Sequence, residues 1–301
     1  MDITVSSAMH GMTIKHLLLH EIGLSQTQLK SAKWSGTISL NGIAVTVRTT
    51  VSTGDLLRVE FPASMPKYPT EPFQLPLKIP YEDEHMLIVD KPAPLASQSS
   101  HAYPNDSLEN AVFQYLGKPH NFVYRPVNRL DKGTSGLMVI AKSAFAQYRL
   151  QSILHSSSFH REYTALVHGT LSPLSGIINL PIGMQPGSTI KRMVQEDGKP
   201  STTRYQVLEQ SENGLSLVHL SLVTGRTHQI RVHLSTLGCP VFGDFLYGHE
   251  SPLLPGRFAL HSSELTLMHP IQHVLIHIAS PVPSLWHQLL EHLPENAVSV
   301  L

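Results

Sequence analysis

The segment TTRYQVLEQSENGLSLVHLSLV, residues 202–223, has the pattern of two β-strands joined at Asn213-Gly214. An Asn-Gly pair between two apolar runs is typical of a type I′ hairpin turn, because both residues tolerate positive φ. A second such pair, Asn41-Gly42, lies between short apolar runs near the start of the chain. Hairpins join antiparallel strands, so these segments predict largely antiparallel sheets.

Two further segments predict strands. GLMVIAK, residues 136–142, is an apolar run of strand length, and REYTALVHG, residues 161–169, alternates so that Tyr163, Ala165 and Val167 share one face. Helices are expected in SAFAQYRLQSILH, which Ser143 can cap, and in TGRTHQIRVHLSTLG, which has threonine caps and a glycine stop. This mixture predicts the α+β class with a mixed, largely antiparallel sheet.

The stretch FPASMPKYPTEPFQLPLKIP contains six prolines, too many for a helix or a central strand. It predicts a semi-extended tether between a small head and a large body. The expected organisation is a head (1–61), a proline-rich linker (62–79), a body (80–290) and a C-terminal tail (291–301).

The head has the pattern of two helices, the second beginning after Ser25, followed by short strands with a turn at Gly54-Asp55. This order resembles the S-four-like RNA-binding domain, and the resemblance implies a small αβ domain that binds RNA. Gln26 and Gln28 occupy positions where that family commonly has basic residues, which leaves Lys30 and Lys33. The alternative is an ordinary small packing domain.

Composition restricts the classes of protein that need considering. The single cysteine, Cys239, permits neither an internal disulfide nor a zinc site built from cysteines, which suggests a reducing compartment. The start of the chain lacks the pattern of a secretory signal, and no run of about 18 apolar residues occurs. The expectation is a soluble, cytoplasmic protein without a membrane partner.

Charge is unevenly distributed although the formal net charge is zero. From Lys118 to Arg231 the chain has 13 Lys and Arg against 6 Asp and Glu, whereas the remainder has 9 against 16. This asymmetry indicates a basic face on a neutral protein, as a nucleic-acid partner requires. Chance clustering on a solvated surface is the alternative.

The stretch NRLDKGTSG sets one carboxylate, Asp131, between Arg129 and Lys132. Flanking cations favour the ionised acid, which can then attack or stabilise an electrophile. Gly133 and Gly136 allow close backbone approach, as a ligand-facing turn requires. Read alone, such an acid is equally typical of a surface turn or a helix cap.

A second candidate lies on the helix predicted in TGRTHQIRVHLSTLG. Ile230 and Leu234 face the core, and Arg231 lies about 100° away, at the edge of the buried face. Its guanidinium could reach inward and hold a carboxylate through two parallel hydrogen bonds. The alternative is an arginine that snorkels to solvent.

Four segments together resemble the large-ribosomal-RNA type (RluA-type) of pseudouridine synthase over about residues 80–285: RPVNRLDKGTSGLMVIAKS, REYTALVHG, TGRTHQIRVHLSTLGCPVFGDFLYG and FALHSSELTLMHP. The resemblance implies the catalytic fold of that family, with Asp131 as its catalytic aspartate and Tyr163 against the target uracil. It also implies that Arg231 pairs with Asp131 and that Arg129 fills the gap left by a flipped nucleotide.

Other residues of these segments are candidates for RNA contact. They are Asn128, Lys132, Arg226, His228, Gln229, Lys191 and Arg192, besides Arg129, and Arg204 is a further candidate phosphate contact. Asn128 stands where the family most often has histidine, and its amide can bond to backbone or phosphate.

The resemblance implies isomerisation of uridine without a metal or cofactor, by a monomer that acts on ribosomal or transfer RNA. Asp131 either adds to C1′ or removes a sugar proton to give a glycal, and the sequence does not choose between these routes. The histidines at 269, 273 and 277 have helical spacing suited to a metal, but Pro270 and the strand pattern of VLIHIASP oppose a helix. The rival hypothesis is a noncatalytic RNA-binding or ribosome-assembly factor.

Overall fold

The computed structural model describes residues 1–62 and 69–291. The helices are α1 (Ile14–His16), which a π-helical turn continues over Leu17–Glu21, α2 (Gln26–Trp34), α3 (Leu108–Tyr115), α4 (Ala144–Ile153), α5 (Gln229–Thr236) and α6 (Ser284–Glu291). Residues 63–68, in the N-terminal part of the predicted linker, and the tail from 292 onward lie outside the described residues.

The strands of the head are β1 (Asp2–Thr4), β2 (Thr37–Leu40), β3 (Ile43–Ala44) and β4 (Leu56–Glu60). The strands of the body are β5 (Lys78–Glu82), β6 (Met86–Lys91), β7 (Ser135–Ala141), β8 (Phe159–His168), β9 (Ser175–Asn179), β10 (Ile182–Met184), β11 (Arg192–Val194), β12 (Thr202–Gln210), β13 (Leu215–Leu222), β14 (Leu260–Met268) and β15 (Leu275–Ala279).

The head is a four-stranded antiparallel sheet in the order β1-β4-β2-β3, with α1 and α2 packed on a common core. Helix α2 begins after Ser25, as predicted. The Ser25 hydroxyl accepts a hydrogen bond from the Gln28 N–H at 3.0 Å, and the Gln28 side chain accepts one from the Ser25 N–H at 2.9 Å. Gln28 occupies a position where the S-four-like family commonly has a basic residue, and here it completes a capping box.

The body is a nine-stranded sheet in the order β5-β6-β7-β14-β8-β13-β12-β9, with β15 paired to β14. Among the described strands β7 and β14 form the one parallel pair, which confirms a mixed, largely antiparallel sheet. Alternate residues of β6 are buried on opposite faces: Leu87 and Val89 on one, Met86 and Ile88 on the other. Both faces are thus covered, one of them by α4.

The C-terminal part of the predicted linker belongs to the body. Phe73, Leu75 and Leu77 pack against the body's core, and the Phe73 N–H donates to the Asn110 carbonyl at 3.2 Å. Strand β5 begins at Lys78, two residues before the predicted boundary, and includes Pro80. An edge strand tolerates proline, because proline has no N–H and the outer edge of the sheet requires no donor. Apolar residues at every second position produce this packing despite the prolines.

Helix α5 ends at Thr236 and Gly238 follows with φ 75°, as the glycine predicted. Its N-terminus differs from the prediction: the cap is His228, with φ 59°, instead of a threonine. A left-handed conformation is uncommon for histidine and often marks a functional site. In the described part of the chain, every helix is too short or too polar to cross a membrane.

Candidate active site

A cleft of about 660 Å³ opens where four parts of the body meet. They are the loop before β7, strand β8, the loop 225–228 and helix α5. Asp131 comes from the first, Tyr163 from the second, His228 from the third and Arg231 from the fourth. The residues predicted to be catalytic are therefore brought together, although up to 100 positions separate them in sequence.

Asp131 and Arg231 form the predicted pair. Arg231 Nη1 donates to Asp131 Oδ2 at 2.9 Å, and Arg231 is buried while the Asp131 side chain is 28% exposed. Burial alone would lower the pKa of Arg231, but hydrogen bonds and charges from Asp244 and Asp131 outweigh it and raise this pKa. The cation is permanent, and its Nη1 lies 2.9 Å from Oδ2 of the partly exposed carboxylate.

Asp244 is a buried carboxylate that the sequence reasoning missed. It accepts hydrogen bonds from Arg231 Nε at 2.7 Å and from Nη2 at 2.8 Å. One guanidinium therefore lies between two carboxylates, and the parallel pair of bonds predicted for Asp131 goes to Asp244 instead. The sequence feature that could have identified Asp244 is its position directly after Gly243, as an acid in the otherwise apolar segment GDFLYG.

Aromatic rings cover the faces of this guanidinium. Its centre lies 4.1 Å from the Phe258 ring and 4.9 Å from the Tyr247 ring. A Cβ on Gly133 would lie 2.6 Å from Phe258 Cε1, and one on Gly136, where φ is 106°, would overlap the backbone of Ser262. The two glycines thus permit close packing within the protein, which corrects their interpretation as parts of a ligand-facing turn.

His228 also lies beside Asp131. Its Nε2 is 3.7 Å from Asp131 Oδ2, and its Nδ1 is hydrogen-bonded to the Tyr247 hydroxyl at 2.8 Å. The Tyr247 oxygen accepts the Arg192 N–H at 2.8 Å, so its own hydrogen is available for Nδ1 and the imidazole proton then points from Nε2 toward Asp131. Burial lowers the pKa of His228, which favours this neutral ring at neutral pH.

Tyr163 lies on β8 with its side chain in the cleft, and it is buried. Burial raises the pKa of Tyr163, so its hydroxyl keeps its proton at neutral pH. The ring offers an apolar surface and the hydroxyl a hydrogen-bond donor to anything that enters the cleft.

Three predicted RNA contacts lie exposed at the cleft: Arg129, Lys132 and Arg226. The Lys132 ammonium lies 4.0 Å from the Tyr103 ring, and Arg226 Nε donates to the Pro200 carbonyl at 3.2 Å. The side chains of Lys132 and Arg226 are thus held by contacts with the protein.

Two other predicted contacts have structural roles. Asn128 is buried and its Oδ1 accepts the Val139 N–H at 2.8 Å. Gln229 is buried as well, and its amide bonds to four groups: Thr224 Oγ1, the Arg226 N–H, the Thr202 carbonyl and Thr203 Oγ1. Its amide is therefore fully used in holding the start of α5 against β12.

The basic residues farther from Asp131 fall into two groups. Lys191 and Arg192 lie at the start of β11 and both contact Tyr247: its ring is 5.8 Å from the Lys191 ammonium, and its hydroxyl oxygen accepts the Arg192 N–H. Arg204, the further candidate phosphate contact, lies on β12 in a separate depression with His219, outside the cleft, and the structure therefore does not bring it to this site.

Lys91 is a second charged residue that the sequence reasoning missed at this site. It is fully buried at the end of β6, where Nζ donates to the Leu95 carbonyl at 2.8 Å and the Pro92 carbonyl at 3.1 Å. Burial lowers the pKa of Lys91 to about 7, against the opposing effect of the Asp131 charge. A lysine at the end of an apolar strand was the signal available. Within residues 1–62 and 69–291, no three His, Cys, Asp or Glu side chains cluster as metal ligands would.

Comparisons with known proteins agree with this geometry. The family model described as RNA pseudouridylate synthase matches residues 85–236. An uncharacterised RNA pseudouridine synthase of Bacillus subtilis is 37% identical, over 93% of this chain and 99% of the relative. The ribosomal large subunit pseudouridine synthase D of Nitrosomonas europaea is 34% identical, over 99% of this chain and 90% of its own. The structure of human RNA pseudouridylate synthase domain containing 1 is similar with a TM-score of 0.57 and 26% identity, over 68% of this chain and 83% of that chain.

Proposed function

The chain belongs to the RNA pseudouridine synthase family, and from that premise we propose that it isomerises uridines of large-subunit ribosomal RNA with Asp131 as its catalytic carboxylate. The choice of RNA is supported by relatives named as ribosomal large subunit synthases, such as the protein of Nitrosomonas europaea. The observation that carries the role of Asp131 is its partly exposed carboxylate, held by a buried arginine inside the cleft.

The two oxygens of Asp131 differ in their surroundings. Oδ2 accepts the hydrogen bond from Arg231 and faces His228, whereas no side chain of the described ranges bonds to Oδ1. Oδ1 is thus the oxygen available to the sugar, either for addition to C1′ or for removal of a sugar proton. In both cases the carboxylate must stay ionised in a site that excludes water, and Arg231 supplies the compensating charge.

Tyr163 and Arg129 serve the nucleotide that reacts. The target uridine must leave its stack, at a cost of a few kcal/mol, before Asp131 can reach its sugar. The Tyr163 ring provides a face for the uracil, and its protonated hydroxyl can donate to a base oxygen. Arg129 would occupy the gap in the RNA, a role supported by its exposed position at the cleft beside the buried Leu130.

The head and the body have different roles in the proposed function. Residues 1–61 form a sheet and core of their own, so we infer that the head adds RNA affinity while the body carries the chemistry. The two parts also touch, since Arg149 Nη1 donates to the Ile22 carbonyl at 3.2 Å and Phe145 packs against the head's core.

The test is to incubate the purified protein with a large-subunit ribosomal RNA transcript and to map pseudouridine by chemical labelling and reverse transcription. We expect formation at defined uridines, and Asp131→Asn should abolish it while the melting temperature and RNA affinity stay close to wild type. A wild-type protein that binds the RNA without modifying it would support the noncatalytic alternative. An Asp131→Asn variant with normal turnover would refute the role of Asp131.

A further inference from the structure

Arg161 is a buried cation that the reaction described above does not use. It lies on β8 two residues before Tyr163, so both side chains project from the same face of the strand into the cleft. It is only 7% exposed, and its buried Nε has no hydrogen-bond partner in the part of the chain that the structure describes. Among residues 1–62 and 69–291, no carboxylate forms a salt bridge with it.

Two more basic side chains share this end of the cleft. The exposed Arg226 follows Gly225, whose backbone packs so closely that a Cβ there would lie 3.1 Å from Arg161 Nη1. His155 comes from the turn after α4, and its pKa is lowered by burial and by the positive charges of Arg161 and Arg226. Asp131 is the sole carboxylate among the described residues that line the cleft.

A buried guanidinium without a counter-charge costs free energy in the folded protein. Two other buried arginines have hydrogen-bond partners within the protein: Arg231 donates to Asp131 and Asp244, and Arg125 Nη1 donates to the Val123 carbonyl at 2.9 Å. The Phe159 ring lies 5.9 Å from the centre of the Arg161 guanidinium. The guanidinium of Arg161 is therefore available to bind an anion from outside the protein.

We propose that Arg161, together with Arg226 and His155, binds a backbone phosphate of the RNA next to the target uridine. The assignment rests on the proposed function, in that the cleft receives RNA. Arg161 and Tyr163 are separated by about 7 Å along the strand, because each residue advances about 3.3 Å, so a nucleotide with its base on Tyr163 has its flanking phosphate within reach of Arg161.

The central experiment compares Arg161→Met with Arg204→Met, an exposed arginine of the same sheet that lies outside the cleft. Binding to a large-subunit ribosomal RNA transcript is measured at several salt concentrations, together with the melting temperature of the free protein. Arg161→Met should weaken binding at least tenfold and reduce the salt dependence by about 0.7 to 0.9 in slope, the effect of one lost phosphate contact. Arg204→Met should change neither quantity.

The melting temperature separates a binding role from a structural one. If the role of Arg161 is to bind an external anion, Arg161→Met should leave the melting temperature unchanged or raise it, because the substitution removes an uncompensated buried charge. A fall of several degrees with unaltered salt dependence would show a structural role and overturn the proposal, as would unchanged binding.

Arg226→Gln provides a second test that does not disturb the interior, since Arg226 is exposed. It should weaken binding less than Arg161→Met, and the double variant should lose less than the two losses combined because both side chains contact one phosphate. Fully additive losses would contradict a shared phosphate.

Failure of the phosphate site can also be distinguished from failure of the proposed function. If the wild-type protein forms pseudouridine while Arg161→Met binds normally, the phosphate site alone is wrong. If Arg161→Met and Arg226→Gln weaken binding but the wild-type protein modifies no uridine, the site stands and the proposed activity fails.

Discussion

Arg231 gives both N–H groups of one edge to Asp244, at 2.7 and 2.8 Å, and only a single hydrogen bond to Asp131, at 2.9 Å. A series of hydrogen bonds therefore leads from the protein interior to the cleft. Asp244 is fully buried and fixes the plane of the guanidinium, and the guanidinium fixes one oxygen of Asp131. A planar group with two usable edges is required for this, which lysine lacks.

The first prediction concerns Asp244→Asn. The asparagine amide can accept a hydrogen bond from only one of the two N–H groups of Arg231, and its own NH₂ group faces the other. The buried cation also loses the negative charge of Asp244. Removing one partner of a buried pair typically costs about 3 to 5 kcal/mol, and we expect a loss of about 3 kcal/mol in the free energy of unfolding, measured with urea, and a matching loss of turnover.

Asp2→Asn is the control for that measurement, because Asp2 forms an exposed pair with Arg58 at 2.8 Å. Exposed pairs contribute little to stability, so Asp2→Asn should leave the free energy of unfolding almost unchanged. If Asp244→Asn behaves like Asp2→Asn, the buried carboxylate does not support Arg231.

The second prediction concerns Arg231→Lys. An ammonium group on a flexible stem can reach Asp244 or Asp131 but cannot hold both in the observed plane. We expect the single-turnover rate at saturating enzyme to fall at least tenfold, or about 1.4 kcal/mol in barrier height, with little change in RNA affinity. A variant that keeps its rate, binds RNA less tightly and shows a lower salt dependence would instead mark Arg231 as a phosphate contact.

Much of the site followed from local signals in the sequence. Asp131 was visible because it stands between cations on a glycine-rich turn, and Arg231 because the helical period places it at the edge of the buried face. Helix α2 and a hairpin around Asn213-Gly214 were predicted correctly for the same reason, since capping and turn chemistry depend on neighbouring residues. The type I′ turn expected in this hairpin was wrong, because Gly214 has a positive φ and Asn213 does not, and four residues separate β12 from β13.

What the sequence did not indicate depends on contacts between distant segments. Asp244 and Lys91 are defined by burial against other elements, and composition gives no measure of that burial. Gln229 looked like an RNA contact because it is polar within a basic motif, whereas its partners on β12 are 26 and 27 residues away. The glycines of the turn were read as serving a ligand because Phe258 and Ser262 are far along the chain.

The third prediction concerns separation of the head from the body. A chain beginning at Pro69 keeps Phe73, Leu75 and Leu77 on the body's core, so it should fold, react at a rate near wild type under saturating RNA, and bind RNA more weakly. A chain beginning at Lys78 loses those three side chains and should melt at a lower temperature. If the longer body also fails to fold, the contacts of Phe145 and Arg149 with the head are essential and the two parts are one folding unit.

The last prediction is a pH dependence that originates at Lys91. Burial lowers the pKa of Lys91 to about 7 in the folded protein, whereas a lysine in the unfolded chain has a pKa of about 10.4. Below pH 7 the side chain is charged in both states and the full cost of burying it applies. Between these two values the unfolded chain binds a proton that the folded protein does not, so the contribution of Lys91 to stability rises with pH, by up to about 1.4 kcal/mol per pH unit.

Lys91→Met removes this titration while keeping a side chain of similar length. It also leaves the Leu95 and Pro92 carbonyls without their donor, but that cost does not vary with pH. The free energy of unfolding should therefore rise more steeply from pH 7 to pH 9 in the wild-type protein than in Lys91→Met, while Lys199→Met, at an exposed position, should follow the wild-type slope. Urea unfolding at three pH values measures these slopes, and parallel curves for the wild type and Lys91→Met would show that Lys91 does not change its charge in this range.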